Sequence, residues 1–425
     1  MLQTLRNAWR IEEIRKKILF TLLIVLLYRI GNAIPVPFVN TALLQQYFAY
    51  LQNTALGLLD AMSGGSFSNA TIFALSIQPY INASIIIQLL CIAIPALERM
   101  SKEEGEEGRK KIASITRYST VAIGLLQGFG YYMLMKNNGI IVAEAAGSVW
   151  AAIIIILTFT SGSALIMWLG EQITEFGVGN GISIILFASI ISRFPNSVIT
   201  TIQNVVNGSL AWWAAVLVFL GALALIVLIV FVNDAERRIP VQYAKRVVGR
   251  KMYGGQSTHL PMKVNMSGVM PIIFASSISS IPATIAAFTG HQDSAWAKTN
   301  TIPYAIIYLL LIIFFAYFYS TIQFNPIEVA NNLKKNGGYI PGFRPGKPTS
   351  EFIQKVLNKI TLFGAIYLGI IAITPILVSH FSNAAALTGL SLGGTSIIIV
   401  VGVALETVRA IEAQMLMRNY KGFLS

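Results

Sequence analysis

The sequence predicts an all-α polytopic membrane protein with ten transmembrane helices, and three observations carry that reading. Hydrophobic residues make up 55% of the 425, whereas charged residues make up only 12%. Charge-free runs recur along the whole chain, at 61–97, 118–135, 145–170, 194–233, 264–292 and 360–405. A helix that crosses lipid needs about 20 apolar residues, and a soluble core does not need runs this long. The basic residues, 31 against 18 acidic, collect between the runs. Membrane topology requires that placement, which weakens the nucleic-acid reading that a net charge of +13 would otherwise invite.

Taken in order, residues 1–17 read as an amphipathic surface helix leading into the first span. Spans are expected at 18–35, 71–95, 118–137, 149–170, 180–194, 210–232, 266–287, 302–322, 360–379 and 392–412. The last apolar run holds two of them, and the polar, glycine-rich stretch 379–396 forms the turn between. With the N-terminus inside, all of the 31 basic residues fall on the inner side except Arg29, Lys136, Arg193 and Lys298. That bias places both termini in the cytoplasm. Five spans precede about residue 200 and five follow, dividing the chain into halves 1–200 and 201–425, an arrangement common among membrane proteins.

The external stretch 36–70 is too long for a simple turn and too apolar for a solvent loop. Within it, LGLLDAMSGGSFSN at 56–69 supports a helical turn or two and then Gly64-Gly65. Such a segment cannot cross lipid. It either lies on the bilayer surface or enters the membrane depth sheltered by protein.

Catalytic chemistry has no foothold in this sequence. Cys91 is the only cysteine, so no disulfide forms within the chain. His259, His291 and His380 lie in or near loops without metal-ligand spacing, and neither a metal nor a cofactor is expected. No phosphate-binding loop or nucleophile–histidine–carboxylate pattern can be assembled. Apart from Arg29 and Arg193, near external ends, the spans carry no deep ionisable residue, whereas ion-coupled pumps usually need buried carboxylates or histidines.

Two long basic loops remain, 234–263 and 324–359. Positive charges in the first alternate with Val241, Tyr243, Val247 and Val248, which read as an extended hairpin facing a partner, with Gly254-Gly255 as its turn. In the second, Pro341, Pro345 and Pro348 with Gly337, Gly338, Gly342 and Gly346 predict defined turns rather than helix. Arg344 sits among them, and its planar five-donor head suits a carboxylate or a phosphate. Short connections with anionic-lipid contacts would satisfy the charge rule. The length of these loops points instead to docking of a large partner.

Five stretches carry a resemblance that spans nearly the whole chain: PYINASIIIQLL at 79–90, GVGNGISIILFASI at 177–190, ERRIPVQYAKR at 236–246, HLPMKVNMSGVMPIIFASSI at 259–278 and NPIEVANNLKKNGGYIPGFRPG at 325–346. In this order they resemble the SecY/Sec61-alpha family, the channel-forming subunits of the protein-export translocon. The resemblance implies two pseudo-symmetric five-helix halves around a central pore, which opens across the membrane and sideways to lipid. It implies a pore ring of Ile81, Ile85, Ile182, Leu186, Ile273 and Ile399. Members of the first two pairs are four apart, so each pair shares a helix face. Branched apolar side chains exclude ions by dewetting and offer a passing polypeptide no hydrogen bonds.

The same resemblance implies a plug at about 57–69, including Asp60, Ser63, Gly64, Gly65 and Ser66. Its small surfaces are expected to be weakly anchored, and Asp60 to face external water. A lateral gate would run between spans two and three on one side and seven and eight on the other. Gln88 and Asn265 mark it, with a hydrogen bond between the gate faces worth about 1 kcal/mol. Arg344 would dock the SecA ATPase or a translating ribosome, supported by Arg237, Arg238, Lys245, Arg246 and Arg250. Further implied partners are the SecE and SecG subunits, signal sequences, translocating polypeptides and anionic lipids, in a bacterial plasma (inner) membrane. The chain would then be a conduit for secretory polypeptides and transmembrane segments rather than an enzyme. The rival readings are an insertase for membrane proteins only and a secondary transporter of a small solute, which needs convergent polar groups.

Overall fold

Helices form wherever the sequence runs apolar. A computed structural model of the chain describes residues 2–51, 55–102, 104–145, 147–208, 211–243, 246–248, 251–253, 257–288, 301–381 and 394–421. The amphipathic N-terminus is α1 (Leu2–Arg10), and Ile11 separates it from α2 (Glu12–Gly31). Two helices then occupy the expected external stretch, α3 (Thr41–Tyr50), capped by the Asn40 side chain, and α4 (Ala55–Met62). Next come α5 (Gln78–Ala93), α6 (Pro95–Lys102), α7 (Gly105–Asn137), α8 (Val149–Phe176), α9 (Gly181–Val206) and α10 (Trp212–Asp234). Strands β1 (Glu236–Tyr243), β2 (Arg246–Val248), β3 (Lys251–Tyr253) and β4 (Ser257–Lys263) precede α11 (Met270–Phe288) and α12 (Ile302–Gln323). The chain continues as α13 (Pro326–Lys335), β5 (Gly338–Tyr339), α14 (Lys347–Phe381) and α15 (Gly394–Lys421).

The protein is an all-α, multi-pass membrane protein with a small sheet on its loops. Among the described residues, α8, α9, α10, α12 and α14 are long and apolar enough to cross a membrane unaided, and α5 with α6 adds a sixth if that pair, bent by 106°, is one span. The α2 helix begins EEIRKK, and α15 carries Glu406, Arg409 and Glu412. The charge-free part of α7 is diluted by Ser119, Thr120, Gln127, Tyr131, Tyr132 and glycines, and α11 is apolar but shorter over Met270–Pro282. Most of α10 faces outward, only Ile229 and Val232 being buried. A helix apolar all round is at home only in a core or in lipid.

Several boundaries differ from the sequence expectation. The surface helix expected over 1–17 ends at Arg10, and residues 12–17 open α2 instead; the span expected at 180–194 continues through Pro195 to Val206. The second apolar run does not become helical at 71. Residues 63–77 fold as turns, with positive φ at Gly64, Gly65, Ala70 and Ser76, and α5 starts only at Gln78, with Pro79 in its first turn. The 324–359 loop is also more helical than its prolines and glycines predict. Asn325 caps α13 through Ile327 N–H and Glu328 N–H, and α14 already begins at Lys347. Pro326 and Pro348 both lie in first turns, where a missing N–H costs nothing. Only 336–346 keeps the expected turn character.

The two long loops meet in one antiparallel sheet of order β4-β1-β5. The β1 strand pairs with β4 from Glu236 opposite Lys263 to Gln242 opposite Ser257, and with β5 at Gln242 opposite Tyr339. Ile239 and Val241 point inward onto Met262, Ile340, Ile353 and Leu357. Val241 therefore packs on the protein's own α14 rather than facing a partner. A short hairpin, β2 with β3, extends beyond the sheet. The expected turn at Gly254-Gly255 and most of the expected turn at 379–396 lie outside the described residues.

Packing in the first half is close enough to be tested. A Cβ on Gly162 of α8 would collide with the Ile72 carbonyl oxygen, a backbone atom that cannot swing away. Gly162→Ala should therefore destabilise the protein by about 1–3 kcal/mol, the usual range for overpacking a tight site. A lowered thermal unfolding midpoint in detergent is the expected reading.

Candidate functional site

The centre of the bundle is apolar and draws on distant parts of the chain. Ile81 and Ile85 of α5, Leu186 of α9, Ile273 of α11 and Ile399 of α15 are all buried in one continuous hydrophobic cluster, with Ile182 half-buried against it. The six residues of the expected ring, carried by four helices, thus all lie in or against this one large cluster, together with residues of α2, α8, α10, α12 and α14. Each helix presents them because the branched residues recur at helical spacing along an apolar face. Met62, at the end of α4, belongs to the same cluster.

Residues 55–77 are enclosed by the bundle rather than spread on its surface. Helix α4 packs against α9 and α11, while Leu56, Phe67 and Leu75 join a second cluster with Phe48, Tyr131 and Phe159. The Phe67 and Tyr131 rings stack at 4.1 Å. Serines hold the turn that follows α4. Ser63 Oγ donates to the Asp60 carbonyl at 3.0 Å, Ser66 Oγ donates to the Ser63 carbonyl at 2.9 Å, and Phe67 N–H donates to Ser63 Oγ at 3.2 Å. Tyr131 OH donates to the Phe67 carbonyl. Gly64 and Gly65 are required here by their positive φ, and a Cβ on Gly64 would also press on the Ser189 carbonyl at 2.7 Å.

Asp60 does not face external water. Its side chain is 8% exposed, pairs with Arg193 of α9, and accepts Ser68 N–H at 2.7 Å. A carboxylate carried by a segment packed against an apolar cluster is tolerable only when paired in this way. The segment is accordingly anchored more firmly than its small residues predict. Arg193 was marked in the sequence only as a stray external charge.

The polar positions expected at a gate, Gln88 and Asn265, find partners that the sequence does not predict. Gln88 Nε2 donates to Ser84 Oγ at 3.1 Å, and Gln88 Oε1 accepts from Tyr319 OH of α12 at 3.1 Å. Asn265 lies just before α11 and donates to Asn233 Oδ1 at 2.9 Å. Gln88 and Asn265 therefore do not bond each other, and Gln88 Oε1 is bonded across helices to Tyr319. A second polar tie joins α11 to α5, where Ser277 Oγ donates to Gln78 Oε1 at 3.5 Å, and Gln78 Nε2 reaches Met62 Sδ at 3.7 Å. Tyr319 and Gln78 had no signal in the sequence, because nothing in a single helix reveals which polar side chain faces another helix.

On the loops, Arg344 is exposed at the tip of a turn set by Gly342 and Gly346, both at positive φ. Thr349 Oγ1 donates to the Arg344 carbonyl at 2.8 Å, and Phe343 stacks on Phe352 at 4.2 Å, which fixes the turn's base. Arg237 and Arg238 are exposed on β1, with Arg238 3.9 Å from Glu236. Arg246 lies in β2 opposite Tyr253. Lys245 and Arg250 lie outside the described residues.

A membrane bundle with an apolar centre, a folded segment packed against that centre and a basic platform on its loops belongs to the class of membrane channels. A family model described as SecY matches residues 71–408. The protein translocase subunit SecY of Streptomyces galbus is 45% identical over 442 residues, covering 100% of both chains. That of Mycobacterium tuberculosis (strain ATCC 25618 / H37Rv) is 43% identical over 448 residues, again covering 100% of both. A solved structure of a protein conducting channel has the same fold at a TM-score of 0.67 and 16% identity, covering 95% of this chain and 93% of that one. A second, concerned with the plug domain of the SecY protein, gives 0.66 over 95% and 92%. The chain belongs to the SecY family.

The bond between Gln88 and Tyr319 yields a direct test. Tyr319→Phe removes the donor while keeping the ring, which packs on Phe274 at 5.1 Å. Stability should fall by about 0.5–1.5 kcal/mol, the worth of one hydrogen bond, measured by thermal unfolding in detergent. The double variant with Gln88→Ala should lose less than the two single losses combined, since both remove the same bond.

Proposed function

We propose that this chain is the protein-conducting channel of a bacterial inner-membrane translocase. Polypeptides cross the membrane through it unfolded, and transmembrane segments leave it sideways into lipid. The observation that supports the reading is that Ile81, Ile85, Leu186, Ile273 and Ile399, carried by four helices, are all buried in one apolar cluster that also holds Met62, with Ile182 packed against it. Such a waist conducts by parting. Closed, it presents no polar group to an ion, and a hydrated ion is turned back by the cost of dewetting. Opened, it grips no passing side chain by hydrogen bonding.

In this reading ten helices span the membrane, namely α2, α5, α7, α8, α9, α10, α11, α12, α14 and α15, with both termini cytoplasmic. Residues 1–200 and 201–425 form the two halves, and residues 57–69 form the plug, with Asp60, Ser63, Gly64, Gly65 and Ser66 among them. The lateral gate lies where α5 and α7 meet α11 and α12. The polar ties of Gln88 to Tyr319 and of Gln78 to Ser277 support that place, since a signal sequence can replace them with apolar burial. Asn265 serves the gate only from the base of α11, through Asn233.

The energy source lies outside the chain. Arg344, on its rigid exposed turn, with Arg237, Arg238, Lys245, Arg246 and Arg250 on the neighbouring loop, receives the SecA ATPase or a ribosome. SecE and SecG complete the assembly, and the inner-face basic residues meet anionic lipids.

Two measurements test this. ATP-driven uptake of a secretory precursor into proteoliposomes that hold the chain, SecE and SecA should give protease-protected precursor. Arg344→Glu should abolish that protection while leaving the protein folded, and equal protection in both would remove Arg344 from the docking role. For the waist, Ile85→Asn should raise resting ion leak through the same liposomes, because a polar side chain rewets the constriction. A leak equal to that of the native protein would take Ile85 out of the ring.

A further inference from the structure

We infer that the Asp60–Arg193 ion pair is the latch of the plug, so that Arg193 of α9 positions the plug and sets how much of the channel rests closed. The inference deepens the channel reading and rests on it. Asp60 stands on α4, the helix that ends at Met62 in the central cluster, whereas Arg193 belongs to a different element, α9. The pair is the only ion pair among the described residues that ties the 55–77 segment to a long helix of the bundle. The remaining ties of that segment to α9 are close packing, Gly64 lying against Ser189 and Ser192.

The two partners are unequally buried, and the inequality gives the latch a direction. The Asp60 side chain is 8% exposed and that of Arg193 is 34% exposed. A cavity of about 290 Å³, lined by Arg29, Asn32, Ser68, Asn69, Ser192 and Arg193 among others, opens beside the pair. Arg193 can therefore be solvated through that cavity when its partner goes. Asp60 does not line that cavity, and removing Arg193 leaves a mostly buried carboxylate without its ionic partner. Moving α4 out to external water relieves that charge, and under the channel reading this is the displacement that opens the path. Losing Arg193 should thus unseat the plug more than losing the charge of Asp60. Asp60→Asn leaves a neutral side chain that still accepts Ser68 N–H.

The test uses the full chain with its partner subunit in liposomes, reading halide efflux without precursor and ATP-driven precursor uptake in parallel. Arg193→Ala should raise resting efflux on the order of tenfold, equivalent to a shift of about 1.4 kcal/mol between closed and open forms. Asp60→Asn should raise it less, and Arg193→Lys, which keeps the charge, should stay near the native value. Uptake of precursor with an intact signal sequence should persist in all three, and Arg193→Ala should also accept precursor with a weakened signal. Efflux unchanged in Arg193→Ala and Asp60→Asn, with uptake intact, would overturn the latch. So would Arg193→Lys leaking as much as Arg193→Ala, since packing rather than charge would then be at work. A native protein that takes up no precursor would remove the channel reading itself, and the latch with it.

Discussion

The structure depends on enclosing an irregular stretch of backbone, residues 63–77, inside an apolar bundle without leaving its peptide groups unpaired. Lipid cannot supply those hydrogen bonds, so non-helical backbone is tolerated at membrane depth only where protein or a wet cavity satisfies it. Here the partners are local and specific. Val36 N–H donates to the Ala70 carbonyl at 2.8 Å, Ile72 N–H donates to the Ile34 carbonyl at 3.0 Å, and Thr71 N–H donates to the Ser66 carbonyl at 3.1 Å. Serine hydroxyls and Tyr131 take up much of the rest. Once that stretch is fixed, Gly31 must lie under the Phe73 ring, and Gly162 must lie against Ile72. The packing of α2 and α8 is therefore set by a segment that is itself neither helix nor strand.

The central cluster and its polar edges divide the work. Apolar contacts are individually weak and non-directional, so under the proposed channel reading a waist of Ile81, Leu186, Ile273 and Ile399 would separate and close again without a large barrier. Directional bonds run from residues of the same cluster, Tyr28 and Tyr319 among them. Tyr28 OH and Ser189 Oγ lie 2.6 Å apart, joining α2 to α9, while Gln88 and Tyr319 join α5 to α12. Each such bond is worth about 1 kcal/mol net in a helical bundle. A handful of them fixes one arrangement without making it irreversible.

How much of this the sequence discloses depends on the range of the interaction. Charge-free runs mark the long helices well, because burial in lipid is a property of twenty consecutive residues and needs no knowledge of neighbours. The same local signal misleads at 71–77, which is apolar yet folds into turns, since apolarity records enclosure and not conformation. Prolines and glycines in 324–359 exaggerate the turn content for a related reason. Pro326 and Pro348 open helices instead of breaking them, and only the Asn325 cap hints at the first. Asp60 with Arg193, Gln88 with Tyr319, and β1 with β5 join residues far apart in the chain. No periodicity records such pairs. The residues expected in the ring rest on resemblance, and helical spacing alone would leave each of them as ordinary core.

The sheet shared by the two basic loops changes what those loops can do. Separate loops would each present charges on a flexible connection, and a partner bound to one would leave the other unmoved. Pairing of β5 with β1, reinforced by Tyr339 OH donating to Gln242 Oε1 at 2.9 Å, makes the Arg344 turn and the arginines of β1 parts of one body. That body rests on α14 through Ile353 and Leu357. In turn α14 is tied to α12, where Tyr317 OH donates to the Asn358 carbonyl at 3.2 Å and the Ser320 and Thr361 hydroxyls meet at 2.8 Å. Tyr319, on the same stretch of α12, holds Gln88. An unbroken chain of rigid elements and short polar contacts therefore runs from the basic platform to the seam between α5 and α12. Under the proposed docking of a partner on these loops, continuity of this kind is one route by which a load there would bias that seam.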